Sequence, residues 1–234
     1  MAGRPFDMSS TAQMASARFG IMSGARVVSV NRGQEADLLI DGRMARSAID
    51  KRAAAGPVEV GSLGLFGDTV ADKVNHGGLE QAVYAYARED MDWWTERVGR
   101  ELRNGIFGEN LTTAGLDVST AQIGEIWRVG TTLLQVTAPR IPCATFKAWL
   151  GDEPRWVKRF ADAGRPGAYL RVLTPGVIAA GDDLTVVSRP EISVTVAESM
   201  LAFYGDPDIM RRLLEVEERG SKWDAVAASV LSRA

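Results

Sequence analysis

The feature that most constrains this chain is a series of short apolar runs, broken by glycine or proline before any can complete a long helix. It extends to residue 190 and draws on most of the chain's 24 glycines and 9 prolines. ARVVSVN at 25–31 and ADLLI at 36–40 are β-branched or apolar runs, and Asp41-Gly42 is a hairpin signal ahead of RMARSAI at 43–49. Gly61, Gly64 and Gly67 interrupt residues 57–68 every three positions, which in a strand context indicates bends or bulges. AVYAY at 82–86 is another strand. Residues 122–139 read as two strands turning at Gly130, and residues 167–190 as strands parted by Pro175-Gly176. Helical periodicity is scarce over the same span. It is clear at 88–102, where Met91, Trp94, Val98 and Leu102 share one face. A short helical patch comes after Cys143, and Pro154 opens another helix through Ala161. Strands and helices do not alternate, so the pattern predicts a mainly β barrel or sandwich.

The two ends differ from this middle. Residues 1–22 are rich in Ala, Ser and Met, lack periodicity and lack the apolar core of a secretory signal. They are expected to be disordered, or to be sequence ahead of a start at Met22. Residues 23–190 form the β domain. From Glu191 the chain becomes a three-helix module, 191–234. Thr195 and Glu198 make a capping box before 196–204, Asp206-Pro207 opens 207–219, and Ser221 with Asp224 opens 222–231. The module carries 5 basic and 8 acidic residues, so the rest of the chain balances at 22 of each and the net charge of −3 resides on the module.

That charge provides no general basic face for nucleic acid. No apolar run is long enough to span a bilayer. One cysteine permits no internal disulfide and fits a reducing, cytoplasmic setting. With one cysteine and one histidine, the usual structural zinc sites are excluded, so a metal here arrives inside a cofactor or is held by oxygens.

Three stretches carry candidate chemistry. Cys143 stands in APRIPC, where Pro139 and Pro142 stiffen the backbone and Arg140 adds a fixed positive charge. A lone cysteine is usually a small buried apolar residue. The nearby cation and a succeeding helix N-terminus instead favour a thiolate. A cysteine nucleophile would want a histidine base, and only His76 is available, at no legible distance. In NHGG at 75–78, either His76 caps a turn, or Gly77 and Gly78 let backbone N–H groups approach an anion beside Asn75 and His76. In FGENL at 107–111, Asn110 either bonds its own backbone or joins Glu109 in facing a polar heterocycle. Arg171, inside the apolar run YLRVL, must face a pocket or water.

In order, NHGG…AVYAY, FGENLT, a Gly-Thr strand, VTAPRIPC and GAYLRVL…GVIAAGD resemble the MOSC domain over roughly residues 25–190, and the added helices are similar to its YiiM-like subgroup. The resemblance implies an antiparallel β-barrel with a few helices. It also implies a molybdenum cofactor (a molybdopterin) with Cys143 as metal ligand, and oxidoreductase chemistry independent of pyridoxal phosphate. Lys51, Asn75, His76, Gly77, Gly78, Asn110, Arg140 and Arg171 become cofactor-holding candidates. Cys143, His76 and Glu109 become the catalytic set, with His76 and Glu109 as proton relays. The reaction implied is reduction of N-hydroxylated small molecules with electrons from a separate flavoprotein or iron–sulfur partner. A non-catalytic carrier of cofactor or persulfide is the alternative. The helical module is left with three roles: docking the donor, covering the cofactor, or making a homodimer contact. One departure stands out: Ala54 occupies the place where the family carries an inner Pro-Val, which weakens the match around Lys51.

Overall fold

The computed structural model describes residues 24–72, 76–151 and 154–233; residues 1–22 and Asn75 lie outside the described residues. Strand β1 (Arg26–Gly33) leads into a ribbon of β2 (Ala36–Ile40) and β3 (Arg43–Ser47), then β4 (Lys51–Ala53), β5 (Val58–Gly61) and β6 (Gly64–Leu65). Strand β7 (Val83–Ala87), helix α1 (Arg88–Val98), β8 (Leu111–Ala114), β9 (Ile126–Val129) and β10 (Thr132–Pro139) come next. Helices α2 (Ala144–Leu150) and α3 (Trp156–Asp162) precede β11 (Ala168–Thr174), β12 (Gly176–Ile178) and β13 (Leu184–Ser188). Helices α4 (Val196–Phe203), α5 (Pro207–Leu214) and α6 (Lys222–Leu231) complete the described chain.

The mainly β expectation holds, with a refinement of the barrel. The large sheet runs β13-β9-β10-β11-β7-β8-β1-β4. It is mixed, because β7 and β8 are parallel, with Ala85 opposite Leu111. A parallel pair cannot be joined by a hairpin, and here the crossover is made by α1. The sheet does not close along its length. Strands β1 and β13 meet at one end, through the Arg26–Asp183 bridge and bonds from Val27 N to Asp182 O and from Leu184 N to Ala25 O, each 2.9 Å.

Strand alternation divides the apolar residues into two cores. On β7, Val83, Ala85 and Ala87 face an aliphatic core with Val27, Trp127, Val136 and Leu170. Tyr84 and Tyr86 face the other way, into an aromatic cluster of Trp94, Phe107, Phe146, Trp156 and Phe160. AVYAY is therefore buried on both faces. The C-terminal helices have no core of their own: Val196, Met210, Leu213 and Trp223 join the aliphatic core.

Helix ends obey the chemistry of their caps, with three shifts. Helix α1 stops at Gly99, whose φ of +67° ends it before Leu102. Helix α3 starts at Trp156, with Arg155 in the left-handed region at φ +54° and Pro154 outside. Helix α5 ends at Leu214 rather than 219. The Thr195–Glu198 capping box and the Asp206 cap form as expected, but the Ser221 side chain does not cap α6. No helix among the described residues is long and apolar enough to cross a membrane.

Candidate functional site

Five segments converge on a cavity of ≈ 110 Å³: the β3–β4 connection, the loop around Asp68, the turn at His76, the loop ending at Asn110, and the loop from β10 into α2. Its floor is made by Tyr84 and Tyr169, whose ring centroids are 5.0 Å apart. Both rings come from the aromatic side of their strands.

Cys143 lies at the end of the proline-stiffened loop, in extended conformation (φ −125°, ψ 177°), as the residue before α2. Its Sγ is 3.9 Å from His76 Nε2. Burial pushes the thiol up, but the His76 contact, the Arg140 charge and the Phe146 N–H together outweigh it and bring the thiol down to about 7. A substantial fraction is then thiolate at neutral pH.

Arg140 is buried. Its Nη1 donates to Tyr169 Oη at 3.3 Å, and its guanidinium carbon stands 4.6 Å from the Phe146 ring centroid and 5.1 Å from that of Tyr84. Among the described residues its Nε has no hydrogen-bond partner, and Gln81 Oε1 is likewise buried and unpaired. Burying a cation with a donor unused is costly unless something else meets it. Here the rings and the neighbouring thiolate supply part of that, and the unused donor leaves capacity for an anionic or polar ligand.

The opposite wall is saturated. Lys51 Nζ stands 2.5 Å from both Asp68 oxygens. Asp68 also accepts from Gly33 N at 2.6 Å and Asn110 Nδ2 at 2.8 Å. Burial lowers the Lys51 ammonium from its ordinary value while the Asp68 carboxylate pulls it up. Asn110 accepts from Tyr84 N at 3.1 Å and donates its backbone N–H to Tyr84 O at 2.8 Å, so the loop is locked onto β7.

Of the residues singled out by sequence, Lys51, His76, Gly77, Asn110, Arg140 and Cys143 line the one cavity. Gly78 adjoins it and, like Gly77, has a left-handed φ, +76° against +73°. Two candidates stand elsewhere. The Glu109 carboxylate is fully buried and accepts from Gly105 N, from Phe107 N at 3.0 Å and from Thr112 Oγ1 at 2.7 Å. Burial pushes it up against those donors. It braces its own loop against β8 and does not line the cavity: two donors of that loop and the Thr112 hydroxyl of β8 claim its oxygens. Arg171 donates to Gln135 Oε1 at 2.6 Å and to the Glu218 carbonyl at 2.9 Å; its partners lie toward the C-terminal helices. Asn75 is outside the described residues. Sequence reasoning missed Asp68 and Gln81. Asp68 had one legible signal: a buried lysine needs a counter-charge. Gln81 had none.

A model of the MOSC domain matches residues 72–185. The Bacillus subtilis protein YflK is 34% identical over 202 residues, 85% of this chain and 91% of its own length. A reductase from Gibberella moniliformis is 38% identical over 152 residues, which is 62% of this chain and 26% of that longer protein. The crystal structure of YiiM from Geobacillus stearothermophilus superposes with a TM-score of 0.73 at 30% identity, covering 88% of this chain and 99% of its own. The fold, the matched motifs and these likenesses agree: the chain belongs to the MOSC family, among its YiiM-like members.

Proposed function

We propose that the chain binds a molybdenum cofactor in the Cys143 cavity and reduces N-hydroxylated small molecules, R–NHOH + 2e⁻ + 2H⁺ → R–NH₂ + H₂O. The observation that carries this reading is one cavity holding the chain's single thiol, lowered to about 7, beside a buried guanidinium with an unused donor. Those residues fit the group. A lone thiolate offers one soft bond to a metal whose other sulfurs come with its pterin. Arg140 Nε and Gln81 Oε1 offer a donor and an acceptor to a polar, anionic ring system. When bound, the cofactor supplies the two-electron centre that accepts the substrate's oxygen.

The chain's own residues do the rest. Cys143 gives its thiolate, kept available by Arg140. His76, whose Nε2 is 3.9 Å from that sulfur, holds and passes a proton at the reacting centre. Lys51, held by Asp68 in a neutral ion pair, fixes the shape of the wall. Tyr84 and Tyr169 close the floor to water. The reductase name of one relative supports the direction of the reaction. Electrons come from a separate flavoprotein or iron–sulfur protein, and the setting is cytoplasmic.

The test is elemental analysis for molybdenum in wild-type and Cys143→Ser protein from a cofactor-competent host, with a turnover assay on an N-hydroxylated base and a reduced dye donor. Molybdenum and turnover in the wild type, both lost or sharply reduced in the variant, are expected. Bound cofactor without turnover would remove the reductase and leave a carrier. Full activity in the variant would remove the thiolate from the mechanism.

A further inference from the structure

We propose that Glu80 is a positioning residue: by tying the start of α6 to the turn that carries His76, it holds the imidazole against Cys143. The idea rests on His76 and Cys143 being the working pair of the proposed site, but it needs no bound cofactor.

Glu80 sits four residues after His76, in a single 3-10 turn, Leu79–Gln81. Its carboxylate accepts from Ser221 N at 2.6 Å, Ser221 Oγ at 3.0 Å and Lys222 N at 3.3 Å. These include N–H groups that a helix start leaves without partners, and Ser221 itself does not cap them. A Cβ at Gly220 would come 2.6 Å from Glu80 Oε2, so glycine there permits the approach.

The second half of the clamp runs through β10. Its pairing with β11 skips Thr137, between Val136 opposite Leu170 and Ala138 opposite Tyr169. That bulge frees Thr137 for other partners. Its hydroxyl, which has one proton and two carbonyls in reach, stands 2.5 Å from Glu80 O and 3.0 Å from Tyr169 O, and its carbonyl accepts from Trp223 Nε1 at 2.9 Å. A ring of bonds thus runs from α6 to Glu80, to Thr137 and back to α6. Thr137 is three residues before Arg140 and six before Cys143. Both segments that deliver reactive groups are fastened to the same helix turn. The link from Glu80 back to His76 passes through Gly77 and Gly78, both left-handed, so the anchor at Glu80 and the His76 N–H bond to Asp72 O at 3.1 Å hold the turn from its two sides.

One histidine and one cysteine make both groups separately readable. In cofactor-free protein, Cys143 is capped with methyl methanethiosulfonate and the His76 imidazole signals are monitored by ¹H–¹³C NMR. Wild-type signals should move on capping. In Glu80→Ala, with folding checked by Trp fluorescence and circular dichroism, that response should fall by half or more; Glu80→Gln, which keeps one acceptor, should fall between. A wild-type signal indifferent to capping overturns the proposal, as does a full response in folded Glu80→Ala. Should Glu80→Ala not fold, a wild-type response in Glu80→Gln has the same force. Molybdenum content does not enter this result, so failure of the clamp and failure of the proposed reaction are told apart.

Discussion

The two walls of the cavity are built on opposite principles. On one, Lys51, Asp68 and Asn110 satisfy one another almost completely: Asp68 takes Lys51 Nζ at 2.5 Å, Gly33 N at 2.6 Å and Asn110 Nδ2 at 2.8 Å. On the other, Arg140 keeps Nε unpaired, and the Cys143 sulfur stands against the edge of His76 at 3.9 Å. Charge is buried on both sides, yet the second keeps hydrogen-bonding capacity for a ligand. A saturated wall fixes shape and field, whereas an unsaturated one is stable enough to persist and gains when something binds. The difference separates scaffold from chemistry more sharply than charge does.

The largest break should come from the open wall. Cys143→Ser is expected to abolish reduction in the turnover assay, while changing stability in urea unfolding by less than about 1 kcal/mol, because no saturated network loses a member. If stability falls and activity survives, the two walls have been assigned the wrong way round. The saturated wall predicts the reverse for Asp68→Ala. That change strands Lys51 as a buried ammonium without its partner and should cost about 3–5 kcal/mol, read as a lower urea midpoint. The companion change of Lys51→Met with Asp68→Leu, which removes both charges, should recover only part of that loss, because Gly33 N and Asn110 Nδ2 still lose their acceptor.

Glu109 sharpens the comparison from outside the cavity. Glu109→Gln should cost about 1–3 kcal/mol, since an amide NH₂ would face one of three donors that now find an oxygen. Its pH–activity profile should keep its shape, because the carboxyl is held outside the cavity by its three donors. The smallest effect is in the thiol itself. Cys143 is lowered from an ordinary thiol value of 9.0 to about 7 in the folded chain. Stability linked to its thiolate is therefore present above 9.0 and lost as pH falls through about 7. In cofactor-free protein, the alkylation rate with iodoacetamide should rise with a midpoint near 7. Arg140→Gln should move that midpoint upward, toward the unfolded value.

Much of this was legible before the fold. Cys143, Arg140, His76, Gly77, Lys51 and Asn110 were drawn from motifs spread over 93 residues, and all line one cavity. Alternation in AVYAY announced a strand; that its tyrosines and its small residues serve different cores was visible only once both sides were packed. Glu109 and Arg171 illustrate what spacing cannot convey. Each is a charged residue in an apolar setting, but a charge is satisfied by whichever partner reaches it first. For Glu109 that was its own loop and the start of β8, and for Arg171 a carbonyl 47 residues away. Ser221 shows the same principle at a helix end, where a carboxylate 141 residues distant took the place of the local cap.

Local chemistry in the chain determined the strands, the caps at Thr195 and Asp206, the stiff turn before Cys143 and the left-handed glycines after His76, because each depends on φ restrictions or on bonds spanning a few residues. Only the tertiary structure decided which charges pair, that β7 and β8 run parallel, that the C-terminal helices share the core of the sheet, and that His76 reaches Cys143 across 67 positions. Those outcomes turn on distances between segments far apart in the chain, set when both cores and the α6 contact with Glu80 close together.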